Sequence, residues 1–335
     1  MSQRRDYSEA DVRVRPNRRG TRPRSKQRPA HADAVPGLVT AVDRGRYQVL
    51  TETGVPVVAI TARELGRGAV VVGDRVDLVG DVSGTADTLA RVVRVQERTT
   101  VLRRSAEDSA STERVIVANA DQLVIVTALA DPEPRPRMVD RCLVAAFDAG
   151  MDALLCLTKA DLAPPEPFLE RYAGLDVPAV STQRVGVDLH GLDRVTEHLS
   201  GRTSVLVGHS GVGKSTLVNA LVPDADRATG GVNEVTGRGR HTSSSAVALP
   251  LPDGGWIIDT PGVRSFGLAH VDTDRFLAAF SDLDEVARDC PRGCTHTADA
   301  PDCALDEWVT GAGPVGQARL DSFRRLLASR TAGED

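Results

Sequence analysis

Residues 208–215, Gly-His-Ser-Gly-Val-Gly-Lys-Ser, place glycines, one lysine and one hydroxyl at the spacing G-x-x-x-x-G-K-[ST], between an apolar run and a helix-forming run. That combination handles phosphate. Glycines let backbone amides curl around phosphate oxygens, and a helix amino terminus adds a favourable dipole. Gly208, His209, Ser210, Gly211, Val212 and Gly213 would form the cradle. Lys214 would set a compact charge on the outer phosphates, and Ser215 would offer its hydroxyl to Mg²⁺, with Thr216 beside it.

Asp259-Thr260-Pro261-Gly262 follows the apolar run Trp256-Ile257-Ile258, 45 residues after Lys214. A nucleotide hydrolase carries at such a strand end an aspartate for Mg²⁺ and a glycine whose amide meets the terminal phosphate. Asp259 and Gly262 are the candidates. The polar, Gly-rich stretch between the two motifs would be an awkward core but a serviceable switch loop. Thr242 is the candidate Mg²⁺-sensing hydroxyl, with Ser243 its rival.

Thr158-Lys159-Ala160-Asp161, at the end of the apolar run ALLCL, resembles the [NT]-K-x-D motif of GTPases. There the aspartate accepts two hydrogen bonds from the guanine edge and the lysine packs over the ring. Adenine lacks that donor edge. The chain has 41 basic residues but only three lysines, Lys26, Lys159 and Lys214. Two of the three fall in these motifs, where an ammonium differs chemically from a guanidinium. Ser181, at the end of VPAVS, is a candidate for a supporting contact. Cys290, Cys294, His296 and Cys303 crowd into fourteen residues, a metal pattern rather than a disulfide framework. Cys142 and Cys156 stand singly in apolar surroundings and read as small core residues.

The elements that must position these groups fall into four stretches. Residues 1–34 form a basic tail: the first 30 hold ten Lys or Arg against three Asp or Glu, a net of +7, whereas the rest of the chain carries −12. Such a tail is expected to be disordered, either simply solvated or a phosphate-seeking arm. Residues 35–98 read as short β-branched runs between turn signals, the size of an OB-fold barrel, with an SH3-like barrel or a structural β module left open. Residues 99–269 alternate strands and helices with motifs at strand carboxyl ends, a doubly wound α/β sheet. Residues 270–335 read as a helical module around the Cys/His cluster. Aromatics make up 3% of the chain, so the cores are expected to rest on Val, Leu, Ile and Ala. No apolar run approaches 18 residues and no signal sequence is evident. A cytoplasmic monomer with no membrane association is expected.

The order T-K-A-D, P-A-V-S, G-H-S-G-V-G-K-S, G-R-H-T, D-T-P-G reverses the usual arrangement, in which the phosphate loop comes first. It resembles that of the circularly permuted GTPases. With a barrel before it and a Cys/His module after it, residues 36–325 are similar to the RsgA (YjeQ/EngC) family of small-subunit-dependent GTPases. The resemblance implies GTP hydrolysis to GDP stimulated by the 30S subunit, a role in late 30S maturation, and contacts of barrel and zinc module with 16S rRNA. Two departures stand out. The family's C-x₄-C-x-H-x₅-C becomes C-x₃-C-x-H-x₆-C, still compatible with a tetrahedral zinc, and its V-S-A becomes V-S-T.

Val263 follows D-T-P-G, where Ras-like enzymes carry a water-orienting glutamine. Valine cannot orient water, so intrinsic turnover should be slow. His241, beside Thr242, is the candidate that supplies this function once the ribosome orders its loop. Catalytic roles are thus expected of Lys214, Thr242 and His241. Two rivals remain: an ATP-using enzyme, for which T-K-A-D is incidental, and an RNA-binding assembly factor with GTP as a structural ligand.

Overall fold

Val39, Val49, Val57, Val76, Leu78 and Val92 lie on five short runs and all six point into one core; their chain neighbours are exposed or half-buried except Asp77, which is buried between Val76 and Leu78. The runs are β1 (Val35–Asp43), β2 (Arg46–Thr51), β3 (Pro56–Thr61), β4 (Arg75–Gly80) and β5 (Ala90–Val95). They close in the order β1-β2-β3-β5-β4-β1, with β3 and β5 parallel and the other pairs antiparallel. This is a five-stranded OB-like barrel. A bulge between Val39 and Ala41 bends β1, so that its first half pairs with β4 and Ala41 pairs onward with Val247. The computed structural model describes residues 31–65, 68–106, 109–223, 246–260, 266, 268, 271 and 273–329. Most of the basic tail therefore lies outside the described residues.

A hairpin follows, β6 (Val101–Ala106) with β7 (Ser109–Ala118). A turn at Asn119 (φ 56°) separates it from β8 (Gln122–Ala128). The chain then runs through α1 (Pro136–Asp148), β9 (Asp152–Thr158), α2 (Glu166–Leu169), β10 (Ala179–Ser181), β11 (Gln183–Val185), β12 (Asp188–His190) and α3 (Leu192–Leu199). Next come β13 (Thr203–Val207), α4 (Lys214–Leu221), β14 (Val247–Pro250) and β15 (Trp256–Asp259).

The sheet order is β10-β9-β8-β13-β15-β14, parallel throughout except for β14. Its strands are buried on both faces, and successive residues take opposite sides. Leu123, Ile125, Leu155, Leu157, Val205 and Val207 face α1, whereas Val124, Val126, Leu154, Cys156 and Leu206 face α3 and α4. That is the doubly wound arrangement. Because the five parallel strands point one way, their carboxyl ends share one edge, where such sheets bind ligands.

The C-terminal helices are α5 (Thr273–Ala278), α6 (Ser281–Ala287) and α7 (Ala304–Ser329), the last broken at Gly313 (φ 65°, ψ −160°), after which Pro314 opens a second segment. Four of the chain's six phenylalanines meet here. Phe147 of α1 packs on Phe276 and Phe280, which pack on Phe323 of α7, with ring centroids 5.3–6.3 Å apart. The few rings are thus concentrated in one seam of this module, beside the buried Leu277, Leu283, Leu305, Leu320, Leu326 and Leu327. No helix among the described residues is long and apolar enough to cross a membrane.

Candidate functional site

Thr158 ends β9, Ser181 ends β10, Gly208 follows β13 and Asp259 ends β15, so four motifs far apart in sequence open onto one sheet edge. The phosphate loop runs from β13 into α4. Gly211 (φ 84°) and Gly213 (φ 90°) take the left-handed backbone that the tight turn needs. Gly208 is required for a different reason: a Cβ there would lie 2.5 Å from the Val126 carbonyl oxygen. Val212 is buried beneath the loop, Ser210, Ser215 and Thr216 are exposed at its mouth, and His209 Nδ1 lies 2.9 Å from the Ser210 carbonyl oxygen.

Lys214 reaches across to Asp259, forming an ion pair, and its Nζ lies 3.3 Å from the Thr260 carbonyl oxygen. The candidate phosphate-binding ammonium and the candidate Mg²⁺ carboxylate are thus adjacent at the sheet edge. Thr260 Oγ1 donates to Leu206 O at 2.8 Å, tying the residue after β15 to β13. The Thr158 hydroxyl is buried and donates to Val212 O at 2.5 Å, joining the T-K-A-D strand end to the phosphate loop.

At the base end, Lys159 sits at φ 59° and its ammonium donates to the Asp131 carbonyl oxygen, in the loop after β8. Asp161 is exposed, and its Oδ1 accepts from the Arg184 backbone N–H at 3.0 Å. Ser181 lies at the neighbouring strand end, but the hydrogen bond to Asp161 comes from Arg184 rather than from its hydroxyl. Sequence reasoning missed Asp131, Arg184 and the anchoring hydroxyl of Thr260. Asp131 had a signal, since it follows a strand in the same parallel set; Arg184 had none, because its contribution is backbone. His241, Thr242, Ser243, Gly262 and Val263 lie outside the described residues.

A second cluster lies between α6 and α7. The ligand atoms of Cys290, Cys294, His296 and Cys303 are all within 4.8 Å of one another. Cys290 Sγ is 3.6 Å from His296 Nδ1 and 4.0 Å from Cys303 Sγ, and Cys303 Sγ is 3.8 Å from His296 Nδ1. A tetrahedron with metal–sulfur bonds of about 2.3 Å has edges of about 3.8 Å. The altered Cys spacing is absorbed by loops, with His296 at φ 57° and Gly293 at φ 78°. Burial pushes the Cys303 thiol up to about 11, with the neighbouring Cys294 and Cys290 sulfurs adding to it, so a thiolate there needs a cation beside it. Burial also lowers the His296 pKa, favouring the neutral imidazole that ligates metals. Arg324 braces the cluster, donating to His296 O at 3.2 Å and gripping Asp306 with two hydrogen bonds of 2.6 and 2.9 Å.

Residues 95–269 match the family model described as RsgA GTPase. A protein of Gemmatimonas aurantiaca named small ribosomal subunit biogenesis GTPase RsgA is 36% identical over 297 residues, covering 87% of this chain and 95% of that protein. Its namesake in Chlorobaculum tepidum is 36% identical over 312 residues, covering 89% and 98%. The crystal structure of YjeQ from Thermotoga maritima superposes with a TM-score of 0.63 at 24% identity, covering 90% of this chain and all of that one, a likeness of fold. With the guanine motif preceding the phosphate loop in sequence yet lying beside it in space, the chain belongs to the RsgA family of circularly permuted GTPases.

Proposed function

We propose that this chain hydrolyses GTP to GDP and phosphate in response to the 30S ribosomal subunit, and acts in the cytoplasm in the late maturation of that subunit. The observation that carries the reading is the shared sheet edge, where Lys214, Asp259 and the Thr158–Asp161 motif converge from three separate stretches of sequence. Asp161 reads the guanine edge and Lys159 covers the ring. The amides of 208–213 and the α4 amino terminus cradle the phosphates, with Lys214 on the outer oxygens. Binding of nucleotide requires Lys214 to leave Asp259, which frees the carboxylate. Ser215, Asp259 and Thr242 would hold Mg²⁺, which neutralises charge on the phosphates when bound. Cys290, Cys294, His296 and Cys303 would hold one structural zinc, whose neighbour distances fit the donor set.

Val263 offers no group to align water, so His241 is assigned that role once the ribosome orders its loop. The barrel and the Cys/His module, on either side of the nucleotide domain in the chain, are the surfaces proposed to meet 16S rRNA. The test is GTP turnover by the full chain alone, with 30S and with 50S subunits, for wild type and His241→Ala. Strong stimulation by 30S alone is expected, and its loss in the variant with binding intact. Absence of 30S stimulation in the wild type would favour an assembly factor that uses GTP structurally. Unchanged stimulated turnover in the variant would remove His241 from the chemistry.

A further inference from the structure

Asp161 lies in an exposed turn, where a carboxylate ordinarily samples several rotamers. Reading two donors on a purine edge requires one orientation. In this chain that orientation is set from outside the turn, by the Arg184 N–H at 3.0 Å from Oδ1. Arg184 belongs to the short hairpin β11–β12, whose ladder pairs Gln183 with His190, Arg184 with Leu189 and Val185 with Asp188.

The hairpin is held at both ends. At its entry Thr182 N–H donates to Leu157 O at 2.8 Å and Ala160 N–H donates to Thr182 O at 3.1 Å, so the T-K-A-D turn and the β10 end are tied together. At its exit Gly191 takes φ 83°, and a Cβ there would stand 2.4 Å from Ser181 O. Opposite Arg184, Leu189 packs against the cluster that contains Val195 and Leu199 of α3. A strand pair fixed in this way presents the Arg184 amide at one place.

We infer that β11–β12 is a built part of the guanine site and that Arg184, through its backbone N–H, is a positioning residue that presets the Asp161 carboxylate; this rests on the guanine reading proposed above. A carboxylate oxygen has capacity for a second donor, so the amide orients Asp161 without consuming it. The donor is main chain, so holding it costs no side-chain entropy, and only proline lacks it.

The test compares full-length wild type, Arg184→Pro, Asp161→Asn and the double variant by calorimetric titration with GDP and with ADP. Arg184→Pro should weaken GDP about ten-fold and leave ADP within about two-fold, so the GDP-over-ADP preference falls about ten-fold. In the Asp161→Asn background the proline should change GDP binding less than about two-fold, because the group it acts through is gone. An unchanged preference in Arg184→Pro, or additive losses in the double variant, overturns the inference. Asp161→Asn retaining the full GDP preference would remove the guanine reading itself, so the two failures are distinguishable. Should Arg184→Pro not melt cooperatively, amide exchange decides. The Arg184 amide should exchange at least about ten-fold faster in folded Asp161→Ala, where no acceptor is left for it, than in wild type, and equal rates overturn the inference.

Discussion

The Thr158 hydroxyl sits between two motifs, ending the strand that carries the proposed base reader and holding the Val212 carbonyl of the phosphate loop at 2.5 Å. Thr158→Val keeps the shape and removes the donor. GDP affinity should fall about five-fold, corresponding to about 1 kcal/mol for one buried hydrogen bond, as measured by calorimetric titration. Gly208→Ala should be harsher. Its Cβ meets the Val126 backbone oxygen at 2.5 Å, and neither β8 nor the loop can yield, so nucleotide binding should be lost in equilibrium dialysis even if the variant folds. At this scale the chemistry was legible because phosphate and guanine recognition admit few residue types at fixed spacing. Lys159, Asp161, Lys214 and Asp259 could be named as candidates from the sequence, and the fold brings them to one sheet edge. The contacts that hold them, Thr158 to Val212, Thr260 to Leu206 and the Arg184 amide to Asp161, were not legible, because each joins residues 23 to 54 apart through backbone atoms that every residue possesses.

Arg141 of α1 joins two elements that local pattern could not relate. Its guanidinium donates to Phe266 O at 2.9 Å, just beyond the D-T-P-G segment, and to Ser329 O at 3.2 Å, at the end of α7. Movement of that segment with nucleotide state would therefore load the last turn of α7. Arg141→Met should uncouple them: a difference in amide exchange of residues 304–329 between GDP and a non-hydrolysable GTP analogue should appear in wild type and vanish in the variant. Acid should loosen the same module. The Arg324 hydrogen bond, with burial opposing it, holds the Asp306 carboxyl below its ordinary 3.8. A depressed folded-state value means stability present above pH 3.8 and lost as pH falls through the folded value. The stability difference between wild type and Asp306→Asn in urea melts should thus be full at pH 6 and shrink towards pH 3. Of the elements themselves, the parallel strands and the barrel runs were readable from alternation and β-branched composition. The β11–β12 hairpin was not, since its three-residue strands are too short to carry a period.

Across the whole molecule, the described residues from 34 to 329 form a single compact unit in which barrel and nucleotide sheet share a continuous run of hydrogen-bonded strands. Three contacts stiffen that junction. Asn119 Nδ2 donates to Gly73 O at 2.9 Å, Arg98 grips the fully buried Asp74 with bonds of 2.7 and 2.8 Å, and a Cβ on Gly73 would lie 2.0 Å from Ala118 O. The Cys/His cluster should be separable from this body. Chelation should release about one zinc per chain and speed amide exchange in residues 281–329 while the barrel stays protected, because a structural zinc contributes on the order of 10 kcal/mol to the fold it closes. The pairing of Ala41 with Val247 has one more consequence. Strand β14 is the last strand of the nucleotide sheet, and an uncovered last strand invites another chain to add to it. The barrel occupies the start of that margin, and Pro250, which lacks an N–H, blunts its end. A chain beginning at residue 99 would bare the margin, and it should self-associate in sedimentation experiments where the full chain does not. Self-association of that shorter chain would make the barrel also a guard against aggregation.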